Sequence, residues 1–555
     1  MTTKFQKIRP LSHVNKALIA TLFVASISLP ATLSWAQTSP SQLPNLGDAS
    51  EITSSAERRM GDRIAREIYR DPDYIDDPVL LEYVLSVWQP LLAAARLRGD
   101  LTAELDERFA FEVFLGKDRS VNAFALPGGY FGLHLGLLAV VGNRDELASV
   151  LGHELSHVTQ RHISRLISKQ NTQNPWVIGA MILGVLAAAK SPEAANALIV
   201  GGQAVAQQNQ LNFSRDMERE ADRVGFGVMT QAGFEGRGFV TMFEKLQQSS
   251  RLSDSGAFPY LRSHPLSSER IADMQGRIPQ AGAGAQAAQT ATQTGTLAHA
   301  MVSARAQVLS NSGVDALRAW APLAAAMAPQ TGPPLSAEQK NQQASTLYGA
   351  ALAASKLRDF GGAAPLLARL MALTQGEAKD DAKDATKDDA AGARLYRLLA
   401  AEIALAAADA PKAALQLALN EAILKALSAS TAATVKPGRP EVILAAMAAL
   451  RAGQAADAAD KLQPWVASHP RDAQAWQLLS RAHAALGKTL RAVRADAESQ
   501  VAHLDYAAAA DRFKAAQELA RELARKGQAD HVEASIIDSR ARQVALLLRE
   551  QALER

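Results

Sequence analysis

The 555-residue sequence contains no cysteine, which removes disulfides, thiolate metal ligands and a cysteine nucleophile at once. Any metal ion must therefore be held by His, Asp or Glu. Aromatic residues make up only 5% although apolar residues reach 48%, because alanine dominates the C-terminal half, and that bias suits closely packed helices. An excess of one charge is also lacking. The 59 Lys and Arg face 56 Asp and Glu, for a formal net charge of +3; the basic residues are scattered, so nothing resembles a nucleic-acid surface. Long apolar runs are missing too. Ala17 to Leu29 and Trp176 to Ala189 both fall short of the ~20 residues a spanning helix needs, which leaves at most peripheral contact with a membrane.

What is present divides the chain. Lys4, Lys7, Arg9 and Lys16 precede the first apolar run, and Ser34-Trp35-Ala36 offers small residues where a signal peptidase reads; residues 1–36 thus read as a cleavable signal sequence, with a mature chain starting near Gln37 in a bacterial periplasm. Residues 37–279 form the next unit. Apolar spacing is helical from Glu51 to Gly99, alternates through Phe109 to Leu115, and suggests two short strands around Pro127-Gly128-Gly129. A small sheet is expected there, followed by a helix from about Asp145 to Lys169. Trp176 to Ala189 suits a buried helix or a flap over a cleft. Residues 280–299, rich in Ala, Gly, Gln and Thr, read as a linker.

The remainder, 300–555, is all-helical and repetitive. Gly453 and Gly487 lie 34 residues apart, as do Ala458 and Ala492, with Pro470 and Trp476 between them. These offsets match a tetratricopeptide repeat, where glycine permits the tight turn and alanine the close helix crossing. A looser copy pairs Tyr348 with Ala364, and another surrounds Ala413; Gly376–Gly392 and Ser428–Pro440 read as inserts. The expected fold is α+β: a mainly helical domain with a small sheet, then an all-α repeat domain.

Chemistry concentrates in Val150-Leu151-Gly152-His153-Glu154-Leu155-Ser156-His157. In this HExxH pattern two histidines at i and i+4 share a helical face and can meet one zinc ion, and Glu154 is placed to act as general base and then acid toward a metal-activated water and the leaving amine. A third ligand is needed. In Ser214-Arg215-Asp216-Met217-Glu218-Arg219-Glu220-Ala221-Asp222, Glu218 and Asp222 again share a face; Glu218 reads as the ligand and Asp222 as the acceptor of an imidazole N–H. Taken alone, those acids also suit ordinary surface salt bridges.

Together with Asn122-Ala123-Phe124-Ala125-Leu126-Pro127-Gly128-Gly129, these segments resemble the three signatures of the zincin family that includes HtpX and the CaaX prenyl protease, and the whole layout resembles its periplasmic protease-chaperones with C-terminal repeats. The resemblance implies one zinc ion on His153, His157 and Glu218 rather than Glu220. It also implies a latch at His264, within Ser263-His264-Pro265-Leu266. The implied substrates are unfolded or misassembled outer-membrane proteins, and the implied partner of the repeats is the outer-membrane β-barrel assembly complex. Asn122, Ala123 and Phe124 are the candidate strand for an extended substrate. The competing expectation is a chaperone or adaptor whose protease site is largely latent. His134 and His162 have no place in any motif.

Overall fold

A computed structural model describes residues 52–169, 214–252, 259–278, 295–327, 335–375, 387–407 and 437–553. The expected signal sequence, the segment Trp176–Ala189, the linker up to residue 294, the repeat copy around Ala413 and most of both inserts lie outside the described residues.

Two helices open the described chain, α1 (Ser54–Arg70) and α2 (Pro78–Arg98). The limits of α2 follow from its ends: Asp77 accepts a hydrogen bond from the Leu80 N–H at 2.9 Å, Pro78 fits the first turn, and Gly99 closes it at φ 79°. By length and composition α2 could cross a membrane, yet 56% of its apolar window is buried within the protein. Val84, Val87, Trp88 and Leu91 are fully enclosed, each such side chain contributing roughly 1.5–3 kcal/mol.

After α3 (Ala103–Arg108) come strands β1 (Glu112–Gly116), β2 (Ala123–Leu126) and β3 (Tyr130–His134). They form the expected small sheet in the order β1-β3-β2, with β1 parallel and β2 antiparallel to β3. The alternating stretch from Phe109 is only half strand. Phe109 ends α3, and Phe111 turns through φ 46° before β1 begins. Val113 and Leu115 enter the core around α2, whereas Phe114 packs on the α1 side, so both faces of β1 are covered. The β2–β3 turn requires its glycines: Gly128 and Gly129 sit at φ 73° and 79°, and a Cβ on Gly128 would lie 2.8 Å from the Arg58 Cα.

Helices α4 (Leu135–Val140), α5 (Arg144–Thr159) and α6 (His162–Lys169) follow. The single helix expected to reach Lys169 is broken, because Arg161 adopts φ 52° while its guanidinium donates to the Ile52 carbonyl at 2.6 Å. Helices α7 (Arg215–Gln231), α8 (Arg237–Leu252), α9 (Pro259–Ser263) and α10 (Ser268–Arg277) complete this half.

The described C-terminal half is helical throughout: α11 (Leu297–Ser310), α12 (Val314–Arg318), α13 (Trp320–Ala325), α14 (Ala337–Lys356), α15 (Phe360–Gln375), α16 (Lys387–Ala407), α17 (Arg439–Arg451), α18 (Ala455–Ser468), α19 (Ala473–Ala485), α20 (Thr489–Ala502), α21 (Tyr506–Arg525) and α22 (His531–Ala552). Gly453 and Gly487 end helices at φ 73° and 69°, Ala458 and Ala492 are buried, and the Trp476 indole N–H donates to the Pro470 carbonyl at 3.0 Å. In the looser copy Tyr348 is buried, but Ala364 is exposed and Ala363 supplies the buried small side chain.

One apolar core joins the two halves, running through Leu80, Leu151, Met301 and Leu352. Three arginines of the C-terminal half also clasp acids at the start of α2. Arg305 meets Asp77 at 2.6 Å, Arg394 bridges Glu82 and Glu441 at 2.5 and 2.6 Å, and Arg439 bridges Asp76 and Asp472 at 2.6 and 2.8 Å.

A pH dependence follows from α19. His483 is buried, neither ring nitrogen has a hydrogen-bond partner among the described residues, and burial together with Arg491, Lys488 and Arg494 pushes its pKa down to about 4. The unfolded chain takes up this proton near pH 6.5 and the folded chain only near 4. The corresponding stability is therefore full above pH 6.5 and is lost as the pH falls toward 4, by about 3 kcal/mol. Urea midpoints at pH 7.5 and 4.5 should differ less for His483→Leu than for the unsubstituted chain; equal differences would rule this group out.

Candidate metal centre

Helix α5 starts where Asn143 accepts from the Glu146 N–H at 2.9 Å, and Glu146 in turn takes hydrogen bonds from Lys245 and the Gly142 N–H, both at 2.6 Å. Helix α7 starts on Ser214, which accepts from the Met217 N–H. The two helices touch backbone to backbone. A Cβ on Gly225 of α7 would lie 2.9 Å from the Gly152 carbonyl and the His153 nitrogen, and one on Gly152 would lie 3.1 Å from the Gly225 oxygen. This close approach carries the His153/His157 face of α5 onto the Glu218/Asp222 face of α7.

The structure brings four sequence-predicted residues together. One donor atom each from His153, His157, Glu218 and His264 lies within 4.8 Å of the others, and all four side chains are buried. His153 Nε2 is 3.0 Å from His157 Nε2, and Glu218 stands 3.5 Å from each. His264 Nδ1 approaches Glu218 Oε1 at 3.0 Å and His153 Nε2 at 3.2 Å, while its Nε2 is 3.4 Å from Glu154. Asp222 Oδ1 lies 2.9 Å from His153 Nδ1; as the carboxylate only accepts, Nδ1 carries the proton and Nε2 is left bare toward the other donors. Two imidazoles, a carboxylate and a third imidazole at the remaining corner suit a divalent metal ion. Glu154, only 1% exposed, supports this, for neither of its oxygens finds a hydrogen-bond partner among the described residues, a costly arrangement unless the group has work in the pocket.

Electrostatics separate the carboxylates. Burial raises Glu154, with His264 and His153 pulling the other way. Burial alone would also raise Glu218 and Asp222, but His264, His153 and Arg270 outweigh it at Glu218, as Arg270 and His153 do at Asp222, and both lie below the usual range. Burial pushes His157 well down, which keeps its imidazole neutral and fit to donate an electron pair.

The candidate strand Asn122–Phe124 is more enclosed. Ala123 and Phe124 belong to β2, Asn122 and Ala123 are buried, and the Phe124 ring covers Gly132. The other edge of β2 approaches the site: the Ala125 N–H lies close enough to Glu154 to favour its charged form, without forming a hydrogen bond.

Sequence reasoning missed four contributors. Arg270 grips Asp222 through two nitrogens at 2.6 and 2.7 Å, reaches Glu218 at 2.9 Å and donates to the Pro265 carbonyl at 2.9 Å, tying the His264 segment to α7. The buried Tyr260 ring lies 4.7 Å from the His264 ring. His162 touches His157, and Glu220 touches His162. A straight helix would carry residue 162 about 140° round from His157; the kink at Arg161 brings it alongside. His134 has no part here and meets Ser120 at 2.9 Å.

Residues 95–278, which contain this whole constellation, match Peptidase family M48. The chain is 36% identical over 262 residues to a putative beta-barrel assembly-enhancing protease of Vibrio cholerae, an alignment covering 47% of this chain and 52% of that protein, about half its length. It is 29% identical over 494 residues to the beta-barrel assembly-enhancing protease of Escherichia coli, covering 88% and 89%. Similarity extends to the mitochondrial metalloendopeptidase OMA1 of Saccharomyces cerevisiae, 27% identical over 201 residues, covering 35% of this chain and 55% of that one. The buried donor set and the matched profile agree: residues 95–278 are similar to peptidase family M48 and carry a candidate metal site of the kind a metallopeptidase needs.

Proposed function

We propose that this chain is a zinc-dependent endopeptidase, exported to the periplasm behind a cleaved signal sequence, that degrades misfolded or stalled outer-membrane proteins and assists their assembly. The observation that carries the catalytic reading is Glu154, buried beside converging imidazole and carboxylate donors, with no hydrogen bond to either oxygen among the described residues. The outer-membrane reading rests on the names of the bacterial relatives.

His153, His157 and Glu218 would hold one zinc ion, and Asp222 fixes the His153 tautomer. When bound, the ion supplies Lewis-acid activation of water and of a peptide carbonyl. Glu154 accepts the water's proton and delivers it to the departing amine, a task suited to a carboxyl raised by burial. An extended substrate adds along the β2 edge near Ala125, so unfolded segments are cleaved and compact domains are not. The tetratricopeptide-like helices beyond residue 300 recruit the client or dock on the outer-membrane β-barrel assembly complex.

His264 favours a second, related reading, a chaperone or adaptor with a latent site, because its imidazole fills the corner a substrate carbonyl would need. Zinc content by mass spectrometry and casein cleavage before and after chelation test the proposal. One zinc per chain and cleavage lost on chelation are expected, and His264→Ala should raise cleavage several-fold. Protein that binds zinc but leaves casein intact in both forms would move the assignment to the chaperone reading; protein that takes up no zinc would end the peptidase one.

A further inference from the structure

Beyond the donor set lies a second chain of contacts, on the side of His157 away from Glu218. His162, fully enclosed, places Nδ1 2.9 Å from His157 Nδ1 and Nε2 3.1 Å from Glu220 Oε2. Glu220 is held in turn by Arg165 at 2.9 Å. Glu220 lies about 200° round α7 from Glu218 and connects to the site through His162. The Arg161 kink and its tether to Ile52 fix the place of His162.

We propose that His162 and Glu220 are positioning residues that set the tautomer and ring orientation of His157. The inference rests on the reading of His157 as a zinc ligand, and proton counting then decides the rest. Two ring nitrogens at 2.9 Å share one proton. A ligating His157 needs Nε2 bare, so that proton sits on His157 Nδ1, and His162 accepts it with the Nδ1 lone pair. The proton of neutral His162 is therefore on Nε2, where the Glu220 carboxylate accepts it. Asp222 orients His153 directly; Glu220 orients His157 through one intervening imidazole. All three acids of the stretch Glu218 to Asp222 thus serve one centre, the first as donor and the other two as orienters of the two histidines.

The test is zinc affinity of the full chain, measured by competition with a chromophoric chelator. His162→Leu removes the acceptor and should weaken binding about 10- to 100-fold, whereas His162→Gln, whose side-chain carbonyl can accept from His157, should recover most of the loss. If His162→Leu does not fold, the half-exposed Glu220 serves: Glu220→Ala should weaken binding and Glu220→Gln restore it. Unchanged affinity in His162→Leu, or in Glu220→Ala where His162→Leu does not fold, overturns the relay, as does a Gln variant that binds no better than its apolar counterpart. A wild type without zinc overturns the ligand reading beneath it as well.

Discussion

Glu154→Gln is expected to lower casein cleavage by about 10²–10⁴-fold, the usual contribution of a general acid–base group, while leaving zinc content and unfolding midpoint unchanged. The amide matches the carboxyl in size, so packing in the enclosed site is preserved. It cannot take a proton from water. Neither Glu154 oxygen accepts a hydrogen bond among the described residues, so the substitution breaks none and gives up only the 3.4 Å ion pair with His264. Cleavage within a few-fold of the unsubstituted protein would remove Glu154 from the chemistry, and loss of zinc together with cleavage would make it a structural residue.

The second large effect is on stability. Arg305, 3% exposed, grips both oxygens of Asp77 at 2.6–3.0 Å, meets Glu402 at 2.7 Å and contacts the Tyr348 hydroxyl at 3.3 Å. Burial alone would raise the Asp77 pKa, and Arg305 more than offsets it. Arg305→Met strands that carboxylate in the interface of α2 with α11, at an expected cost of about 3–5 kcal/mol. Adding Asp77→Asn should restore much of it, since the amide oxygen still caps α2 and carries no charge. A midpoint shift in urea worth less than about 1 kcal/mol for Arg305→Met would show that the charge is solvated after all.

Local spacing carried much of this protein. The pair at i and i+4 announced His153 with His157, whereas Glu218 and Asp222 needed the family resemblance beside their spacing; the strand turn was visible because Pro127-Gly128-Gly129 needs backbone that other residues resist. Groups that meet through space were not visible. Arg270 lies 48 residues from Asp222, with no period connecting them. His162 has no place in any motif, and a helix continued through Arg161 would aim its ring elsewhere; the left-handed residue at Arg161 brings it alongside His157. Arg305, Arg394 and Arg439 find their α2 partners 228, 312 and 363 residues away, so the clamp between the halves has no local signature. His264 was reached by resemblance alone, and its place among the donors reflects the fold of α9 and the segment after it.

The glycine contact between α5 and α7 has a consequence for how such proteins drift and how they are searched for. The spacing of two helices, hence the bite of the ligands, is gauged there by an empty volume the size of one methyl group. Gly225→Ala would leave every donor, orienter and base unaltered in the sequence, and any scan that scores the signatures would accept the chain as intact. Its added carbon would nevertheless press on the Gly152 carbonyl and the His153 amide, splaying the imidazoles from Glu218. Inactive chains with a full set of signatures can therefore arise at a position that no signature includes.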